Sequence, residues 1–206
     1  MSVAGDGSAT ATLKGQRTRA RIIQTAADLM LANGANATTI DEICYAAHVG
    51  KSQIYHYFTD KADLVRGVIE LQAECVLAGH EPIFERMSSW DDWDRWKDRI
   101  IALQRDGGFT GGCPLGSLAN ELADADETAR QVLGSSFDRW ERGFCVGLRR
   151  MVDAGLLHPE TDVPSLATFL LSTLQGGLLL CQTRKDAAPL EGALNSVLAY
   201  LRSFAV

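Results

Sequence analysis

From Lys51 to Tyr57 the chain reads Lys-Ser-Gln-Ile-Tyr-His-Tyr, and six of these seven side chains can form hydrogen bonds. These residue types suit a nucleic-acid duplex. Gln53 can address a base edge with both ends of its amide, Lys51 can meet a phosphate or a guanine, and Ser52 is small and hydrogen-bonding. Tyr55, His56 and Tyr57 can donate to phosphate oxygens. Ile54 and Phe58 are four apart and share one face, so a helix over Lys51–Phe58 would bury two residues and present the others. Lys61 falls at the start of the next helix, where a cation opposes the helix dipole; a nearby phosphate would relieve that mismatch. Arg17, Arg19 and Arg21 form the densest basic cluster of this region, and Arg17 and Arg19 could reach a duplex from an N-terminal arm. Each of these residues also has an ordinary reading as part of a solvated surface. Tyr57 can instead pack beside Ile54, and Thr39 reads first as a helix cap, with a phosphate contact as an addition.

A second set of residues is aromatic. Trp90, Trp93 and Trp96 lie three apart on one helical face, and further along Phe137 precedes Trp140 by three and Phe144 follows it by four. Such a stripe is either core or the wall of a pocket for an aromatic ligand. Phe109 shares the ambiguity. Cys113 follows two glycines and precedes Pro114 at an expected helix start, a position that favours thiolate; the alternative is a small buried apolar residue. His48, His56, His80 and His158 are not spaced as metal ligands, and no nucleophile elbow, phosphate loop or dinucleotide fingerprint occurs. No enzyme activity, metal site or cofactor is expected.

These residues must be positioned by helices, because no period-two strand pattern bounded by turns is found. The first helix spans about Gln16–Asn33, with Ile23, Ala26, Ala27 and Met30 on its core face and Gly34 as its stop. The second starts from Thr39, with Glu42 three residues on as a capping box. His48-Val49-Gly50 breaks the chain before Lys51–Phe58. A fourth helix follows Asp60 and ends near Gly79, with Leu64, Val68, Leu71 and Cys75 as its stripe. Further helices are expected at Ser89–Arg105, Leu115–Leu122, Asp126–Asp153, Val163–Arg184 and Leu190–Phe204, the last two with Pro164 and Pro189 in their first turns. Helix, tight turn and helix over Thr39–Phe58 make a helix-turn-helix, whose second helix enters the major groove.

Charge is distributed to match. Residues 1–61 carry six Lys/Arg against five Asp/Glu, and the remainder fourteen against twenty-one. An acidic body with a locally basic head can still bind phosphates through the head. Hydrophobic residues make up 46% of the chain, enough for a globular core. Residues 1–13 are expected to be a disordered tail without an export signal, residues 14–62 a helix-turn-helix domain, and residues 63–206 a helical regulatory and dimerisation domain. The apolar run Leu166–Cys181 contains Gln175 and two glycines and is short for a membrane span, so a buried core or interface helix is expected. Five scattered cysteines without a CxxC fit a reducing cytoplasm.

The pattern T-T-I-D-E-I-x-x-A-A-x-V-G-K-S-x-I-Y-x-Y-F-x-D-K-x-x-L, from Thr38 to Leu64, resembles the DNA-binding head of the TetR/AcrR family of bacterial repressors. The resemblance is dense over about residues 16–70. It implies an all-α homodimer on a palindromic operator in double-stranded DNA, a small-molecule effector, and an intersubunit bundle made by the last two helices. Phe169, Leu170, Gly176, Gly177, Leu194 and Leu198 are the expected interface residues. Gly50 departs from the pattern, since the family often has a hydroxyl residue there. The segment F-T-G-G-C-P-L-G-S-L-A-N-E-L, Phe109–Leu122, is similar to a branch that controls multidrug efflux in response to flavonoids or antibiotics. It is also similar to a branch that senses electrophiles through a cysteine, here Cys113. The expected effector pocket is Trp90, Trp93, Trp96, Phe109, Cys113, Phe137, Trp140 and Phe144.

Overall fold

The computed structural model describes residues 13–206. The helices in this range are α1 (Leu13–Asn33), α2 (Ile40–Ala47), α3 (Lys51–Tyr57), α4 (Lys61–Ala78), α5 (Glu81–Phe84), α6 (Trp90–Asp106), α7 (Pro114–Leu122), α8 (Glu127–Asp153), α9 (Val163–Arg184) and α10 (Ala188–Arg202). No strand forms among the described residues; a single antiparallel bridge joins Leu157 to Ala205. The all-α class is as expected. Residues 1–12 of the expected tail lie outside the described residues, and Leu13, assigned to that tail, already opens α1. The chain divides into two compact units, one ending at Val68 and one from Ile69 to Val206.

In the first unit, α1 buries Ile22, Ile23, Ala26, Ala27 and Met30. Gly34 ends it at φ 92°, a left-handed conformation that favours glycine. The capping box forms: Thr39 accepts from the Glu42 backbone N–H, and Glu42 accepts from the Thr39 backbone N–H. His48 closes α2 in the left-handed region, and Val49 N–H donates to the Cys44 carbonyl, which satisfies the end of the helix and turns the chain. α3 buries Ile54 and sets Phe58 behind it, both essentially inaccessible. α4 is capped by Asp60, which accepts from Asp63 N–H at 2.7 Å. It lies close to α1, since a Cβ at Gly67 would meet Ile23 Cδ1 at 3.2 Å.

The second unit has an aromatic core. Phe84, Trp93, Trp96 and Phe144 are fully buried, with ring centroids 4.8–6.5 Å apart. Each such side chain contributes about 1.5–3 kcal/mol by leaving water. Gly143 on α8 makes the packing possible: a Cβ there would lie 2.7 Å from the Phe84 ring. α5 was not foreseen, because four residues are too few to show a helical period. The expected α4 stripe also changes course, with Ile69, Ala73 and Leu77 buried and Cys75 exposed. α9 and α10 pack closely, and a Cβ at Gly177 would meet Leu190 Cδ1 at 2.8 Å and Leu190 Cα at 3.3 Å. α9 is long and apolar enough to cross a membrane by length and composition. Its Leu166, Leu170, Leu174 and Cys181 are buried inside the protein, as in the core helix of a folded unit.

Candidate nucleic-acid interface and ligand cleft

α3 places its polar row outward. Lys51, Ser52, Gln53, Tyr55 and His56 are all exposed, Tyr55 by 53%. Tyr57 is half-buried, with its ring edge-on to His56 at 4.9 Å. Lys51 Nζ pairs with Asp41 of α2 at 2.8 Å, with both side chains largely in solvent. The carboxylate raises the lysine pKa further and keeps the ammonium charged. An exposed pair of this kind is readily exchanged for a phosphate.

Three neighbours carry structural duties. Gln53 Oε1 accepts from Gly50 N–H at 3.3 Å and so helps to cap α3. Gly50 has no side chain to cap the helix itself, which explains why the glutamine does so. The Gln53 NH2 remains available to a base edge. The Thr39 hydroxyl donates to Glu42 at 2.8 Å, so its proton serves the cap and not a phosphate. These bonds, the backbone one first, hold the Glu42 carboxyl below the usual carboxylate range. Lys61 donates to the Asn36 carbonyl at 3.2 Å, and an ammonium has two further donors to offer.

Arg17 and Arg19 are exposed on α1 itself, in its first turns. The Arg19 guanidinium lies 5.2 Å from the Phe58 ring centroid, a cation–π contact. Sequence reasoning missed Tyr45. It is 85% exposed on α2, one helical turn beyond Asp41. An aromatic ring left so open beside the Lys51–Asp41 pair is a candidate phosphate contact. Its spacing from Asp41 was the available signal.

In the second unit a cleft of about 210 Å³ is lined by residues of α4, α6, α7, α8 and α9 and of the turns before α5 and α7, among them Cys75, His80, Arg99, Leu103, Gln104, Cys113, Trp140 and Leu174. Of the eight expected pocket residues, Cys113 and Trp140 line it. Trp93, Trp96 and Phe144 belong to the aromatic core instead. Trp90 stacks under Arg202 at 5.2 Å. Phe137 is half-buried on α8 outside the cleft, and Phe109 sits in the glycine-rich turn with its carbonyl bonded by Lys185 at 2.8 Å. His80, in the turn between α4 and α5, and Arg99 and Gln104, lone polar residues of amphipathic α6, were missed, since none of them carries a period of its own.

The electrostatics of the cleft are distinctive. His80 Nδ1 accepts from Trp96 Nε1–H at 3.1 Å, so the neutral ring carries its proton on Nε2. Burial, followed by the Arg99 charge, pushes its pKa down to about 4. The indole N–H of Trp140 and the side-chain carbonyl of Gln104 are buried without a hydrogen-bond partner. Cys113 caps α7, its sulfur accepting from Gly116 N–H at 3.4 Å. Burial pushes its thiol up despite that bond, so the helix start does not produce the activated thiolate that its position suggested.

The expected interface residues divide. Leu170, Gly177, Leu194 and Leu198 are buried within their own chain. Phe169 and Gly176 face outward, next to exposed Leu179, Leu180 and Tyr200. Phe169 and Tyr200 meet edge to face at 5.5 Å. The outward strip of α9 and α10 is therefore apolar and open.

Comparison with known proteins agrees with this architecture. Residues 22–68 match the bacterial regulatory proteins of the tetR family, and residues 95–197 match the tetracyclin repressor-like C-terminal domain. The HTH-type transcriptional regulator Rv0196 of Mycobacterium tuberculosis is 26% identical over 183 residues, 85% of this chain and 90% of that protein. The regulator YxaF of Bacillus subtilis is 29% identical over 182 residues, 84% of this chain and 88% of its own. The HTH-type transcriptional repressor DhaR of a Mycobacterium species is 22% identical, covering 87% and 89%. A TetR-family regulator from Cytophaga hutchinsonii superposes with a TM-score of 0.78 over 95% of this chain and 98% of that one at 20% identity, a likeness of fold. A TetR regulator from Chloroflexus aurantiacus gives 0.73 over 94% and 98% at 26% identity. With both halves matched in order and the helix-turn-helix in place, the chain belongs to the TetR family and is a DNA-binding transcriptional regulator rather than an enzyme.

Proposed function

We propose that this chain is a dimeric repressor that binds a palindromic operator in the cytoplasm and is released from it by a small-molecule effector. In this reading α3 lies in the major groove. Gln53 and Ser52 meet base edges, and Lys51, Tyr45, Tyr55, His56, Lys61 and the α1 arginines Arg17 and Arg19 meet phosphates. The dimer forms through the apolar strip of Phe169, Gly176, Leu179 and Tyr200. The observation that carries effector control lies in α4. Its first turns belong to the helix-turn-helix unit, and its last residues line a cleft containing unsatisfied polar groups. Two heads must stand about 34–36 Å apart to meet successive major grooves. An effector that favours another position of α4 weakens operator binding by its differential affinity for the two states.

An efflux or detoxification gene is the target in this reading, supported by the Ile100, Leu103, Leu174 and Leu178 side of the cleft, which suits small foreign molecules. A cysteine-based electrophile or redox sensor at Cys113 is the weaker reading, because burial pushes its thiol up. Footprinting of the full-length protein on the DNA upstream of its own gene and the adjacent genes tests the proposal. A protected palindrome is expected; uniform, sequence-independent protection would overturn it.

A further inference from the structure

The cleft has one charge sign. Arg99 is the sole charged residue in its lining, which contains no Asp or Glu, although the chain as a whole carries a net charge of −6. Arg99 is exposed and forms no ion pair among the described residues. The polar groups around it are chiefly donors. Trp140 offers an unpartnered buried N–H, and His80, with Nδ1 already accepting, carries its proton on Nε2. The Gln104 side chain leaves its carbonyl, an acceptor, without a partner; turning the amide over would present its NH2 to an anion instead. Cys113 and Pro114 bring the N-terminal end of α7 to the wall, and a helix N-terminus carries partial positive charge. The remaining lining includes Ile100, Leu103, Leu174 and Leu178. The cleft of about 210 Å³ suits a compact ligand, with the exposed Arg99 and Cys75 at its open side.

We propose that the cleft binds a small organic anion, with a compact apolar body against Leu103, Leu174 and Trp140 and a carboxylate or similar acidic group at Arg99. The assignment rests on the reading of this cleft as the effector site and names the chemistry that the effector must have. An arginine at the open side lets the acid keep part of its hydration while its apolar body leaves water. A cation would meet Arg99 with no acidic partner to balance it. A neutral ligand would leave the guanidinium unused.

The test is calorimetric titration of the full-length protein with benzoate, phenylacetate and pentanoate, each beside its primary amide. At least one acid should bind about tenfold more tightly than its amide, as expected for a charge-assisted bond in place of a neutral one. Arg99→Gln, a change at an exposed position, should remove that preference while leaving amide binding within about twofold. The bound acid should also slow alkylation of Cys75, which is exposed and lines the same cleft. Amides that bind as well as the acids, a preference that survives Arg99→Gln, an unprotected Cys75, or no acid binding at millimolar concentration would each overturn the assignment. Operator release is read separately by gel shift. An acid that binds at Arg99 but leaves the operator complex intact refutes effector control and leaves the anion site standing.

Discussion

Gly176 and Gly177 are adjacent in α9, yet they should respond to the same substitution in opposite ways. A Cβ at Gly177 would lie 2.8 Å from Leu190 Cδ1, 3.3 Å from Leu190 Cα and 3.5 Å from Ala193 Cβ, whereas a Cβ at Gly176 meets nothing within 4 Å. Both alanine variants gain the same helix propensity, about 1 kcal/mol relative to glycine, so their difference isolates the contact. The Leu190 side chain can rotate, but its Cα belongs to the α10 backbone, and α10 must then move. Overpacking of that kind costs about 1–3 kcal/mol. Gly177→Ala should therefore be less stable than Gly176→Ala by about 1–3 kcal/mol. Urea unfolding of both variants at one protomer concentration measures this, since dimer stability depends on concentration. A partner helix lying on Gly176 would add a concentration-dependent loss to Gly176→Ala, which a dilution series separates. If Gly177→Ala extrapolates to the same stability as Gly176→Ala at every concentration, or a higher one, the close approach of α9 to α10 is refuted.

Burial holds His80 at about 4, against about 6.5 in the unfolded chain. With the folded value depressed, the unfolded chain takes up the proton first as pH falls. The stability is present above about pH 6.5 and is lost as pH drops toward 4. The loss owed to His80 is about 1 kcal/mol by pH 5.5 and about 2 kcal/mol by pH 5. Unfolding of the wild type and of His80→Gln across this range measures it, and parallel pH profiles would contradict it. Iodoacetamide at neutral pH should label exposed Cys75 well before buried Cys113; mass spectrometry showing Cys113 labelled first would revive the electrophile-sensing reading. Leu179→Glu puts a charge on the open strip of α9, where the side chain is 62% exposed, and should yield a folded monomer by analytical ultracentrifugation. A dimer of undiminished affinity would place the interface elsewhere.

Much of the fold was legible because helices announce themselves through period and caps. The Thr39–Glu42 box, Ser89 before α6 and Asp126 before α8 all cap as their residue types suggest, and the buried face of α3 is Ile54 and Phe58 as their spacing requires. The aromatic stripes were legible as faces but not as roles. Trp93 and Phe144 share their stripes with Trp90 and Trp140, yet two are core, one supports an arginine and one lines the cleft. Which neighbour meets a given helical face is a tertiary fact, set here by α5, whose four residues leave no periodic trace. Cys113 shows the same gap. Its position at the start of α7 favours thiolate, but the burial that outweighs this comes from residues far away in sequence. Gly176 and Gly177 were indistinguishable until α10 was seen against one and nothing against the other.

The most direct test is equilibrium binding of the full-length protein to a palindrome selected from random duplexes and to a scrambled duplex at the same salt. Fluorescence anisotropy would follow the wild type, Gln53→Ala, Lys51→Ala and Tyr55→Ala. The wild type should prefer the palindrome by about 10³-fold or more. Gln53→Ala should lose about 1–3 kcal/mol of that discrimination. Lys51→Ala and Tyr55→Ala should weaken binding without unfolding, with the salt slope shallower by about one unit for the lysine. Equal affinity for both duplexes, or wild-type binding by all three variants, would contradict DNA reading by α3.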